Sequence, residues 1–88
     1  MNIYKTKDFY FACVLLSNNF KLVELEKDGD KNTVFFLFDS SNKEEIKNKL
    51  LDDYINQNCL VNAKLFSWAI KSLKGQLHEK LNDGGNNL

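Results

Sequence analysis

The sequence predicts an α+β fold: a two-stranded antiparallel hairpin packed with three helices, in the order α-β-β-α-α. Three observations lead there. Lys31 to Asp39, KNTVFFLFD, is the most apolar run in the chain, and it is β-branched and aromatic between two clusters of turn residues. Phe20 to Lys27, FKLVELEK, is a second strand-like run, joined to the first through Asp28-Gly29. Apolar residues recur at helical spacing in three further segments.

The hairpin rests on local chemistry. Branched and aromatic side chains suit a half-buried pleated surface. Val34, Phe36 and Phe38 alternate with Thr33, Phe35 and Leu37, so both faces are apolar and both are expected to need cover by helices. In the first strand the apolar phase changes between Leu22 and Val23, which marks either a bulge or cover on both faces at the strand's start. Asp-Gly between strand-like runs is a strong hairpin signal, because glycine accepts positive φ without a Cβ penalty. The expected pairing is 20–27 with 33–38.

The helices follow from spacing and caps. Met1 to Lys5 reads as a lead-in. Thr6 is the expected N-cap of a helix over 7–17, with Asp8 in its first turn. Phe9, Ala12, Cys13 and Leu16 form its stripe, while Tyr10, Phe11, Val14 and Leu15 make it apolar nearly all round. Such a helix lies at the centre of a fold or against a partner chain. Asn18-Asn19 stops it. Ser41 and Glu44 fit a capping box for a second helix over 42–56, with Ile46, Leu50, Leu51, Tyr54 and Ile55 on its apolar side. Asn62 caps a third helix over 63–81, with Phe66, Ile70, Leu73, Leu77 and Leu81 on one face, joined by Leu65 and Ala69. Gly75 weakens that helix and suggests close packing at that point. Residues 1–81 make one domain, and 82–88 read as a disordered tail.

Composition removes several classes of function. The 88 residues carry 12 basic and 12 acidic side chains, so no overall charge draws the chain to a polyanion. All the basic residues are lysine, and without arginine's bidentate fork a sequence-reading DNA protein is disfavoured. Two cysteines are no disulfide framework, and no apolar run is long enough to span a bilayer. A cytoplasmic protein with reduced thiols and no membrane contact is the expectation.

The segments Thr6 to Ala12 (T-K-D-x-Y-x-A), Phe20 to Glu24 (F-K-L-V-E), Asp28 to Asp39 and Ala69 to Lys74 (A-I-K-x-L-K) together resemble a small domain-of-unknown-function family of bacteria and their phages. The resemblance covers most of residues 4–81. It implies a phage or mobile-element setting and brings no activity, cofactor or catalytic residue.

Chemistry is sparse. His78, the single histidine, reads as a basic group near a helix C-terminus, favoured by the helix dipole. A catalytic base needs a positioned partner, and a Cys59–His78 or Cys13–His78 pair has little to recommend it. Cys13 falls on an apolar stripe and reads as core, with Cys59 more exposed in a connector. Glu44-Glu45 and Asp52-Asp53 are adjacent in sequence and so diverge around a helix. Asp28-Gly29-Asp30 resembles the start of a calcium loop, but the residues after it supply no further ligands.

The most suggestive surface is on the third helix. Lys64, Trp68, Lys71, Lys74 and His78 share one side by i, i+3, i+4 spacing. Trp68 amid lysines either anchors a partner or stacks a base, or else closes the edge of the core under the lysine stems. The expected function is a non-enzymatic interaction protein without a cofactor or metal. In the setting implied by the resemblance it binds or inhibits a host protein complex, such as a defence system. A homodimer through the first helix or a hairpin edge is one form of this. The alternative is a nucleic-acid accessory protein using the Lys/Trp face.

Overall fold

The computed structural model describes residues 1–29 and 32–83, Asp83 by its backbone alone. The elements are β1 (Ile3–Thr6), α1 (Phe9–Ser17), β2 (Lys21–Lys27), β3 (Val34–Asp39), α2 (Glu44–Ile55) and α3 (Ala63–Asp83). The fold is α+β, but its sheet has three antiparallel strands in the order β1-β3-β2, and the chain order is β-α-β-β-α-α. The two-stranded hairpin is thereby corrected. What reads as a lead-in is a strand, paired from Ile3 opposite Asp39 to Thr6 opposite Phe36. Four residues are too few to show a period, and their partner lies more than thirty positions away, so nothing local announces them.

The phenylalanine-rich strand is therefore the centre of the sheet, and the hairpin that supplies it is where the sequence places it. Asp28 N–H donates to the Thr33 carbonyl at 2.9 Å, and Gly29 takes φ +56°, the left-handed region that a Cβ would strain. Asp30 and Lys31 lie outside the described residues. The register shifts between Leu22 and Glu24, a bulge where the apolar phase changes.

Alternation along β3 is resolved into one inner and one outer face. Val34, Phe36 and Phe38 are buried, whereas Phe35, Leu37 and Asp39 are only partly buried. Tyr4, Leu22 and Leu25 join Phe36 and Phe38 against the helices, but Phe35 and Leu37 do not belong to that core. The expectation that helices cover both faces is overturned. By register, Ile3 and Lys5 of β1 and Glu24 and Glu26 of β2 flank Phe35 and Leu37 on the outer face. There Lys5 Nζ lies 4.6 Å from the Phe35 ring centroid and 2.8 Å from Glu26 Oε1. Long polar stems crossing an apolar surface do part of the work that a helix would do.

α1 sits between the inner sheet face and the other two helices. Phe11 to Leu15 are all buried, as an apolar circumference requires, and they are covered within one chain. That stretch leaves no free surface for a second copy. The N-cap is Asp8 and not Thr6, which ends β1. Asp8 Oδ1 accepts from Phe11 N–H at 3.0 Å, while Thr6 Oγ1 accepts from Asp8 N–H at 3.1 Å. At the other end Asn18 is the C-cap and Asn19 turns left-handed at φ 66°, the predicted stop.

α2 is peripheral. Leu50, Leu51 and Tyr54 pack on the core, but Ile46 and Ile55 of the predicted stripe are 52% and 66% exposed. The Ser41–Glu44 capping box does not form. Asn42 is left-handed at φ 63°, Ser41 Oγ accepts from Asn2 N–H at 2.9 Å, and the Ser40 hydroxyl bonds the Glu44 carboxylate instead. The serines are used to fasten β1 to the β3–α2 loop.

α3 is capped as expected, with Asn62 Oδ1 accepting from Lys64 and Leu65 N–H at 3.1 and 3.0 Å. Ala69 and Leu73 are fully buried, with Phe66, Ile70 and Leu77 packed beside them. The helix runs on to Asp83, so 82 and 83 are helical, and the rest of the predicted tail lies outside the described residues. A Cβ at Gly75 meets nothing within 4 Å, so close packing is not its reason. Gly75→Ala is therefore expected to raise stability by about 1 kcal/mol, the helix-propensity difference, read as a higher denaturant midpoint at unchanged m-value.

Candidate functional site

The helical spacing that buries Ala69 and Leu73 turns the opposite side of α3 to solvent. Lys64, Trp68 and Lys71 are exposed there, and Lys74 and His78 are exposed further round the helix. Trp68 is 54% exposed, so it does not close the core edge. At about 1.5 Å per residue, the five span about 21 Å along the helix axis. That length fits a stretch of macromolecule better than a small molecule.

Apolar groups that the sequence does not mark extend this face. Leu65, expected on the core side, is 48% exposed and neighbours Trp68 at i, i+3. Immediately before the Asn62 cap, Leu60 is 91% exposed and Val61 40%. No periodicity governs a connector, so only the coordinates separate these residues from the core. Ile55, at the end of α2, is likewise bare.

The charge on this face is one-sided. From Ala63 to His78 the chain carries three lysines and no Asp or Glu. Among the described residues none of Lys64, Lys71 and Lys74 forms an ion pair; the pairs are Lys5–Glu26, Lys47–Glu44 and Lys49–Asp53. A neutral protein thus concentrates unpaired positive charge around its one tryptophan.

His78 stands apart from that cluster. It lies about 15 Å along the axis from Trp68, at 1.5 Å per residue. It also lines an open groove of about 710 Å³ between α3 and β2, with Glu24, Leu25, Gln76, Glu79, Lys80 and Asn82. Lys64, Trp68 and Lys71 lie within about 60° of one another around the helix, whereas Lys74 lies about 120° from Trp68 and shares a second open groove with His78, Leu77 and Glu79.

The thiols sit in environments that oppose nucleophilic use. Burial pushes Cys13 up to about 11, reinforced by the Asp8 carboxylate and only partly opposed by the Lys74 charge. Cys59 is also raised, by burial first and by Asp53 second. An activated thiolate needs the reverse. Among the described residues no three His, Cys, Asp or Glu side chains are grouped to hold a metal ion. No described helix is long and apolar enough to cross a membrane.

Two other polar clusters are structural, and they set the pH response. Asp39 is held below the usual carboxylate range by hydrogen bonds from Ser41, and Glu44 by Ser40 first and Lys47 second. Depressed folded-state values favour the ionised form. Their contribution is present above the ordinary values of 3.8 and 4.5 and is lost as pH falls through the folded ones. Tyr54 runs the other way. Desolvation, then its hydrogen bond to Asp8, raises it from 10.0 to about 12, so its contribution is complete below pH 10 and fades toward 12. Melting temperature is expected to fall on both flanks, and Ser40→Ala should blunt the acid flank specifically. Thermal unfolding followed by circular dichroism across the range reads both effects.

No curated protein and no solved structure matches the chain. Residues 1–79, which take in both halves of the sheet and nearly all of α3, match the model of a domain of unknown function, DUF5659, and the chain belongs to that family.

Proposed function

We propose that the chain is a non-enzymatic protein-binding module that docks through the outward side of α3 and the connector before it. One observation carries this reading: the only tryptophan is 54% exposed, with Leu65 beside it at 48% and Leu60 and Val61 bare just upstream. Large aromatics flanked by aliphatics are what dominate the energetics of protein interfaces. Scattered single apolar residues need no explanation, but a run of them around the one tryptophan does. The setting we attach to this reading is the cytoplasm of a bacterial cell, with the chain encoded by a phage or mobile element and its partner a host protein complex.

Single-stranded nucleic acid is the second reading, favoured by three unpaired lysines around an aromatic able to stack a base. Two features weigh against it. The face offers one aromatic among aliphatics and not a stacking platform, and the chain has no arginine. The outer sheet face is a poorer candidate for a polyanion, since Glu24, Glu26 and Asp39 there outnumber Lys5 and Lys21.

The test is affinity capture from a lysate of the source cells with three immobilised chains: unaltered, Trp68→Ala and Phe35→Ala. Proteins identified by mass spectrometry should be retained by the unaltered and Phe35→Ala chains and lost from Trp68→Ala. Equal retention by Trp68→Ala removes the assignment of the surface.

A further inference from the structure

We infer that the segment docking on α3 is a peptide stretch of the partner that is both acidic and apolar: carboxylates spaced between large aliphatic or aromatic side chains. The inference rests on the reading of this face as a protein-docking surface and adds its specificity. Two features of this surface carry it together.

The first is the arrangement of charge around the apolar centre. Trp68 has Lys64 one turn before it and Lys71 nearly one turn after, while Lys74, a further turn on, lies about 120° round the helix from it. None of the three lysines is held by a carboxylate of the described chain, and 63–78 contains no acidic residue at all. A rim of one sign around an apolar centre selects the opposite sign in its partner, and like-charge juxtaposition rejects the wrong one. In a chain of zero net charge this bias belongs to the surface and is not inherited from the whole molecule.

The second is the character of the centre. Leu60, Val61, Leu65 and Trp68 are 91%, 40%, 48% and 54% exposed. Aliphatic groups gain from covering by other apolar side chains and gain little from a stacked base or a phosphate. Acidity alone in the partner, as in a nucleic-acid strand, would leave them wet. Apolar character alone would leave Lys64, Lys71 and Lys74 facing neutral atoms. A segment with both properties satisfies the whole face, and the length of about 15 Å from Lys64 to Lys74, at 1.5 Å per residue, corresponds to nearly three turns of an amphipathic helix.

Trp68 reports on the face directly, being the only tryptophan. Its emission is measured while the full chain is titrated with five probes: a Glu/Leu amphipathic peptide, its Lys/Leu counterpart, a Glu/Ser peptide, oligo-dT, and vesicles containing phosphatidylserine. The Glu/Leu peptide should bind at least about tenfold more tightly than every other probe, and its affinity should drop steeply with added salt. The double variant Lys71→Glu, Lys74→Glu changes only exposed positions, and circular dichroism verifies its fold. It should lose at least about tenfold toward the Glu/Leu peptide and gain toward the Lys/Leu one. Oligo-dT or vesicles binding as tightly as the Glu/Leu peptide overturns the inference. So does equal binding of the Lys/Leu peptide, or no change in Trp68 emission with any probe. If lysate capture still depends on Trp68 in those cases, the docking surface stands and only its preference for acidic segments falls.

Discussion

Phe38→Ala is expected to cost about 3–5 kcal/mol, the usual range for truncating a fully buried phenylalanine to alanine. Phe38 has no exposed surface and lies in the central strand, opposite Tyr4 on one side and Leu22 on the other. An 88-residue domain has a total stability of about 4–13 kcal/mol at about 0.05–0.15 kcal/mol per residue. The variant is thus expected to be unfolded or close to it. Phe35→Ala, three residues away on the same strand, should cost less, about 1–2 kcal/mol, because its ring is only partly buried and is covered in part by the Lys5 side chain. Urea midpoints of the two variants measure the contrast. Equal costs would mean that the outer sheet face is covered after all.

Trp68→Ala is expected to do the opposite: leave the fold within about 1 kcal/mol of the unaltered chain and weaken partner binding roughly 30-fold, or about 2 kcal/mol. The asymmetry follows from its position. Trp68 projects from the side of α3 away from Ala69 and Leu73, so its removal opens no core cavity. It does remove the largest rigid apolar side chain exposed on α3. Calorimetric titration against the captured partner gives the affinity, and a melting curve of the variant alone gives the stability.

The elements that could be read in the sequence are those whose signals are local. The β2–β3 hairpin is announced by Asp28-Gly29 and by alternation, its bulge by the apolar phase change at Leu22–Val23, and the start of α3 by Asn62. α1 is apolar on every side, and the structure shows why: the sheet, α2 and α3 each pack against it. β1 escapes because its meaning is non-local. IYKT becomes a strand only when β3 is beside it, and the bonds that fasten it, from Asn2 to Ser41 and from Ser40 to Asn2, bridge nearly forty residues. Those same bonds divert the serines from the capping box that their spacing suggests. The two apolar faces of β3 look equivalent in sequence, and only the placement of the helices on the side of Phe36 and Phe38 distinguishes them.

The candidate surface was legible in part for a related reason. Helical periodicity places Lys64, Trp68 and Lys71 near one another, and all three are exposed, while Lys74 is carried further round the helix. Periodicity alone cannot say which side of a helix faces the core at its ends. Leu65 was assigned inward by that logic and lies half-exposed, while Leu60 and Val61 sit in a connector with no period to read. His78 satisfies the spacing yet lines the groove between α3 and β2, together with Glu24 of β2 and its neighbours Glu79 and Lys80.

A photo-reactive phenylalanine analogue installed at position 68, and separately at position 35, distinguishes the two exposed surfaces within the same cells. Protein adducts that form from position 68 and not from position 35 are the expected result. Adducts from position 35 alone would move the docking surface to the open face of the sheet and contradict its assignment to α3.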